Sequence, residues 1–300
     1  MFYYAGLVVL GFVVGIFSGL FGIGGGFFLV PMLNVVFNIP YNIAIGSSLC
    51  QMVGTSIAAC VKHHDYGHID YKLAIWLLAG SVVGAEIGAR ILMWLHGMGN
   101  IMIRGHSLSI MSVCVDVIFI VLLLTVGIVM FVESKEATQR EPRGGVVKTV
   151  FSEKIRNIRI SPMTSLPISR ISSISVWFIM VLGLGVGVLS GLLGIGGGFI
   201  MSPSLIYLLG IPTNVAIGTG LFQIIFTSGY GGLTHFLKNN VNFKIVFCIL
   251  GGSLIGSQLG AVLHKRMRGA HVRYYFSLMV LAVVATIVIK FIYSVSNGVK

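Results

Sequence analysis

Charge is what this sequence lacks. Only 9% of its 300 residues are charged and eight are acidic, against about 25% charged residues in an ordinary soluble domain. From Met1 to Val61, and again from Ile171 to Leu237, there is no Asp, Glu, Lys or Arg. A charge-free apolar run beyond about 18 residues reads as a membrane span. With 56% hydrophobic residues and a mean hydropathy of +0.98, the chain is expected to be an all-α polytopic membrane protein. Cys50, Cys60, Cys114 and Cys248 form no C-x-x-C pair, so neither a disulfide framework nor a zinc ribbon is implied. The basic region and small-x-small cleavage pattern of a removable leader are missing from the first apolar run. No Ser-His-Asp or Cys-His set can be assembled, which argues against an enzyme, and no cofactor motif is present. The net charge of +12 belongs to loops, where Lys and Arg set orientation, and implies no nucleic-acid partner.

What the chain has is one stretch twice. Ser18-Gly-Leu-Phe-Gly-Ile-Gly-Gly-Gly-Phe27, followed by Pro31, returns as Ser190-Gly-Leu-Leu-Gly-Ile-Gly-Gly-Gly-Phe199, followed by Pro203. A shift of 172 residues superposes Gly11–Ala89 on the second half without a gap, with identities that include Pro40/Pro212, Asn42/Asn214, Gln51/Gln223, Thr55/Thr227 and His63/His235. Eight apolar segments follow at about 5–37, 41–61, 73–95, 107–132, 174–209, 213–236, 245–263 and 274–292, four to each half. The expected organisation is a first transmembrane repeat at 1–132, a connector at 133–173 and a second repeat at 174–300. The connector has eight basic and four acidic residues and is expected to be cytoplasmic. Phe151, Ile155 and Ile158 within it would suit a surface helix, and Pro142, Pro162 and Pro167 a flexible linker.

The first segment of each repeat is too long for one straight span, since 33 residues of helix cover about 50 Å against a hydrocarbon core of about 30 Å. Three adjacent glycines interrupt each, so a break is expected, either as helix–break–helix or as a re-entrant hairpin. Re-entry would give each half three crossings and invert the repeats. The loop charges leave parallel and inverted arrangements open, and the pseudo-two-fold site common in transporters favours inversion.

The glycine runs are no dinucleotide fingerprint, because G-x-G-x-x-G cannot be placed on them, and no Walker lysine follows. Backbone N–H groups freed at Gly24, Gly25 and Gly26, and at Gly196, Gly197 and Gly198, could bind an anion at mid-membrane. The alternative is close backbone packing. Ser47, Gln51 and Thr55 share one helix face, as do Thr219, Gln223 and Thr227, and could line a solute path or bond neighbouring helices. Asn42 and Asn214 could cap the following helices or join the lining. Gly80, Gly84 and Gly88, with Gly252, Gly256 and Gly260, read as small-residue packing seams. Glu86 and Asp116, the acidic residues within apolar segments, are candidates for proton coupling. His63 and His235 end matched segments and could contact a proton or an anion. His63, His64, Asp65 and His68 resemble a metal cluster, but His63 alone among them recurs in the second half, so no metal site is assigned.

These paired motifs, each followed by I-P-x-N-x-A-I-G-[ST] and a Gln four residues later, resemble the TauE/SafE sulfite exporter family. The matching positions are Gly22–Gly26, Pro31, Asn42, Gln51 and His63, with Gly194–Gly198, Pro203, Asn214, Gln223 and His235. The resemblance implies a multi-pass carrier of the plasma (cell inner) membrane for sulfite, sulfonates or related organic acids. Its expected partners are a small anion and the lipid bilayer, with room for a homo-oligomer. With no ATP-binding sequence, the expected mechanism is gradient-driven alternating access between the two repeats. Two rival functions stay open: a divalent-metal transporter, and a scaffold that recruits a partner through its basic connector.

Overall fold

The computed structural model describes residues 2–103, 106–140, 155, 160–267 and 269–297. Among them the helices are α1 (Phe2–Phe21), α2 (Gly26–Val35), α3 (Tyr41–Asp65), α4 (Tyr71–Gly97), α5 (Ile110–Arg140), α6 (Val176–Leu193), α7 (Gly198–Tyr207), α8 (Thr213–Leu237), α9 (Phe243–Arg266) and α10 (Gly269–Asn297). Two antiparallel hairpins join them, β1 (Asn100–Ile103) with β2 (His106–Ser109) and β3 (Met163–Leu166) with β4 (Ile171–Ser175). Seven of these helices, α1, α3, α4, α5, α6, α9 and α10, are long and apolar enough to cross a membrane. The 25-residue α8 has the length, but five glycines dilute its apolar content.

Helix pairs from opposite halves of the chain build the core. Helix α1 lies parallel to α9: Gly11, Gly15 and Gly19 face the carbonyls of Ile249, Ser253 and Ser257, and Gly252, Gly256 and Gly260 face those of Val8, Phe12 and Ile16. Helices α4 and α6 repeat this, with Gly80, Gly84 and Gly88 on Met180, Leu184 and Val188, and Gly183, Gly187 and Gly191 on Leu77, Ser81 and Ala85. A Cβ at any of these positions would overlap the facing backbone, so the seams set the helix spacing. Helix α3 packs on α8, and α5 on α10.

The long first segment turns back on itself. After Phe21 the chain reverses, so that Gly25 faces Val14 and, past the end of α2, the Phe37 ring faces Gly6. The second half turns in the same way, with Gly197 against Val186. Each long segment is thus helix–break–helix, with the second helix doubling back along the first. At about 1.5 Å per residue, the ten-residue α2 and α7 reach about halfway across a bilayer core.

The connector departs from a simple linker. Helix α5 runs on to Arg140, and residues 160–175 fold onto the helices through the buried Leu166, Ile171 and Ile174 of the β3–β4 hairpin. In its turn, Ser169 donates from its N–H (3.2 Å) and hydroxyl (2.6 Å) to Asp70, whose carboxylate also caps α4 at Leu73 N–H. The surface helix expected around Phe151–Ile158 lies outside the described residues, apart from helical Ile155.

Candidate functional site

The two reversals meet at the centre of the molecule. Helix α1 stops at Phe21 because Gly22, Gly24 and Gly25 take φ of +68°, +68° and +85°, the left-handed region that side chains disfavour. Gly194, Gly196 and Gly197 take +68°, +64° and +83° after α6. Helices α2 and α7 begin immediately afterwards, at Gly26 and Gly198, and all six candidate glycines of the breaks are buried. Gly26 abuts Gly194 and Ile195, Gly198 abuts Ile23, and the Phe27 and Phe199 rings stack with centroids 4.9 Å apart. Two half-helix N-termini therefore converge, each carrying the equivalent of about +0.5 elementary charge. Two α3 and α8 side chains occupy the space between them: Met52 touches Gly24, Gly26 and Gly196, and Ile224 touches Gly24 and Gly198.

The polar stripes divide into satisfied and unsatisfied groups. The Ser47 hydroxyl accepts from Asn242 N–H and the Thr219 hydroxyl from Asp70 N–H, both at 3.0 Å, which ties each stripe to a loop of the other half. Gln51 donates to Ser253 (2.7 Å) and Thr55, and Thr227 donates to the Gly196 carbonyl (3.1 Å). Against these stand Gln51 Oε1, both amide atoms of Gln223, and the hydroxyls of Ser18, Ser190, Ser56 and Ser228. All are buried and without a hydrogen-bond partner. They fall at matched positions 172 residues apart. Ser228 Oγ borders Gly196 and Ser190 borders Gly197. Each such group left empty costs about 1 to 3 kcal/mol.

The remaining candidates lie outside the glycine runs themselves. Asn42 donates to Asn240 (3.0 Å), and His235 is buried beside the Gly191 carbonyl. His63, His68 and the unexpected His264 gather where α3, the loop after it and α9 meet the end of α1. Asn214 Oδ1 lies 3.2 Å from His264 Nε2. His64 and Asp65 stand apart, 3.7 Å from each other and exposed. Burial, and Lys265 beside it, push His68 below the ordinary imidazole range. Glu86 pairs with Arg90 (2.7 Å) and accepts from Tyr230 (3.1 Å), while Asp116 is buried with Tyr41 and Lys290 (3.8 Å). Sequence reasoning overlooked Ser18/Ser190 and Ser56/Ser228, although each pair is identical across the repeat. It also overlooked His264, which stands opposite Leu92 and gave no such signal. The buried Arg273, which donates to Thr213 at 2.7 Å, likewise passed unnoticed.

A sequence profile described as "Sulfite exporter TauE/SafE" matches residues 7–287. The chain belongs to the TauE/SafE sulfite exporter family. It is therefore a membrane transporter of that family. Similar proteins include "Probable membrane transporter protein YunE" of Bacillus subtilis, 26% identical over 87% of this chain and 89% of its own length. "Probable membrane transporter protein MJ0441" of Methanocaldococcus jannaschii is 26% identical over 90% of each chain. "Sulfite exporter TauE/SafE family protein 3" of Arabidopsis thaliana is 22% identical over 92% of this chain and 75% of its own length. No solved structure matches.

Proposed function

We propose that this transporter carries a small oxyanion, such as sulfite, a sulfonate or a related organic acid, bound between the two glycine breaks. The observation that carries the proposal is the set of buried, partnerless donors, namely the hydroxyls matched across the repeat as Ser18/Ser190 and Ser56/Ser228 and the Gln223 amide nitrogen, together with two converging half-helix N-termini. Neutral hydroxyl, amide and backbone donors with a positive helix field hold an anion without trapping it in an ion pair. Met52 and Ile224 fill the centre in the present conformation, so one half must move against the other to admit a solute. This is alternating access between repeats. No catalytic role is assigned to any residue.

Inverted repeats fit this reading. Supporting them are the reciprocal contacts, in which Gly22 meets Ile217 as Gly194 meets Ile45, and Gly46 meets Asn240 as Gly218 meets His68. If each half crosses three times beside its hairpin, the connector, the α3–α4 loop and the α9–α10 junction share one face. Fourteen of the twenty Lys and Arg residues then fall in or next to that face, which makes it cytoplasmic in a plasma membrane.

Proteoliposomes holding the purified chain test the proposal when offered radiolabelled sulfite, a sulfonate, a short carboxylate and a divalent metal in parallel. Saturable movement of an anion is expected. Movement of metal with no anion would overturn the proposal, and movement of nothing, with a protein captured by the connector, would favour the scaffold.

A further inference from the structure

The three clustered histidines are already prepared for a ligand. The His63 Nε2–H must donate to the Gly19 carbonyl (3.3 Å), since that oxygen can only accept, and this leaves a lone pair on Nδ1. His264 Nδ1–H donates to the Leu20 carbonyl (2.8 Å), which leaves a lone pair on Nε2. Backbone carbonyls that fix the tautomer are the usual outer shell of a metal-bound imidazole. His68 Nδ1, 3.4 Å away, can donate to the His63 Nδ1 lone pair, and a metal would take the place of that shared proton once His68 shifts its own proton to Nε2. Two nitrogens on a tetrahedral zinc at about 2.0–2.1 Å from the metal would be separated by about 3.3–3.4 Å. One nitrogen from each ring lies within 4.8 Å of the others, and the Asn214 amide oxygen next to His264 Nε2 can complete four ligands.

We propose that His63, His68 and His264, with Asn214, form a binding site for a late first-row divalent cation of the Zn²⁺ class. The site is distinct from the anion path and independent of its assignment. It lies beside the last turn of α1, just before the first break, and has no counterpart in the other half. There the corresponding residues are His235, Asn240 and Leu92, and Asn240 instead bonds Asn42, the residue matched to Asn214. Three neutral nitrogens and one amide oxygen suit Zn²⁺ or Co²⁺ and disfavour Mg²⁺ and Ca²⁺, which require several oxygen ligands. Lys265, the cation nearest the cluster, is drawn over the Tyr66 ring, 4.5 Å from its centroid. The ligands come from α3 and its following loop in one half and from α8 and α9 in the other. A bound ion would therefore join the halves across the end of α1 and hold that face shut.

The test is a Co²⁺ titration of the purified, tag-free full chain, read by visible absorption, with Zn²⁺ as competitor. Intense tetrahedral bands that Zn²⁺ abolishes and Mg²⁺ leaves alone are expected. His264→Gln and His68→Gln should each weaken binding by about 10- to 100-fold, whereas exposed His64→Gln should match the wild type. His68 lies in a loop and is only half-buried, so its variant decides the matter should His264→Gln misfold. Absence of the bands in the wild type, or equal binding by His68→Gln, would overturn the proposal, as would equal loss in His64→Gln.

Discussion

Replacing Gly197 with alanine separates what the glycine break does for the fold from what it does for a solute. Gly197 has φ +83°, and a Cβ there would meet Val186 Cγ1 at 2.9 Å and Ser190 Cβ at 3.8 Å. An alanine held in the left-handed region costs about 1–2 kcal/mol. Displacing one valine methyl from its rotamer adds about 0.5–1.5 kcal/mol. The sum, about 1.5–3.5 kcal/mol, lowers the melting temperature but leaves a protein of ordinary stability folded. The same residue is the N-cap of α7. If an anion loses one charge-assisted hydrogen bond worth about 1.5–3 kcal/mol, its dissociation constant rises by about 10- to 150-fold. Sulfite binding by calorimetry, run beside thermal unfolding in detergent, reads both quantities. Gly185→Ala is the control, because its Cβ meets nothing within 4 Å and it sits inside α6; it should gain stability and bind normally. A folded Gly197→Ala protein with unchanged affinity would remove the break from the binding site and refute the reasoning.

Three further outcomes follow from the packing. Gly84→Ala drives a methyl into the Leu184 carbonyl, backbone that cannot swing aside, so it should destabilise by about 1–3 kcal/mol or more and lower the melting temperature, whereas Gly185→Ala raises it. Asp70→Ala removes the α4 cap and both Ser169 contacts; the β3–β4 hairpin should loosen, and limited trypsin digestion should cut faster after the exposed Arg170. Asp116→Ala leaves Lys290 without its carboxylate and should cost about 3–5 kcal/mol in thermal unfolding, against under about 1 kcal/mol for Glu86→Gln, whose partner Arg90 is exposed.

Local chemistry is what the sequence made legible. Long charge-free runs show where helices lie, and helices α1 and α6 end at glycines because only glycine takes φ near +68° cheaply. The spacing of Gly80, Gly84 and Gly88 announced a packing face but not its partner, since α6 arrives from the other half of the chain. Ser47 and Thr219 share the candidate lining, and the loop N–H groups their hydroxyls accept from come from the other half of the chain. Which hydroxyls stay empty depends on distances no pattern encodes. His264 is the clearest omission: a single histidine near a helix end acquires meaning only when α9 carries it to His63 and His68. The β3–β4 hairpin was hidden for a similar reason, because its burial rests on Asp70, about a hundred residues earlier.

The central claim is that matched polar groups at the paired breaks hold the anion. Replacing Gln51 and Gln223 together with leucine removes the amides from both stripes while keeping their volume. In proteoliposomes, sulfite movement by the folded double variant should fall to the level of empty vesicles, with each single variant in between. Wild-type transport by the double variant would contradict the account.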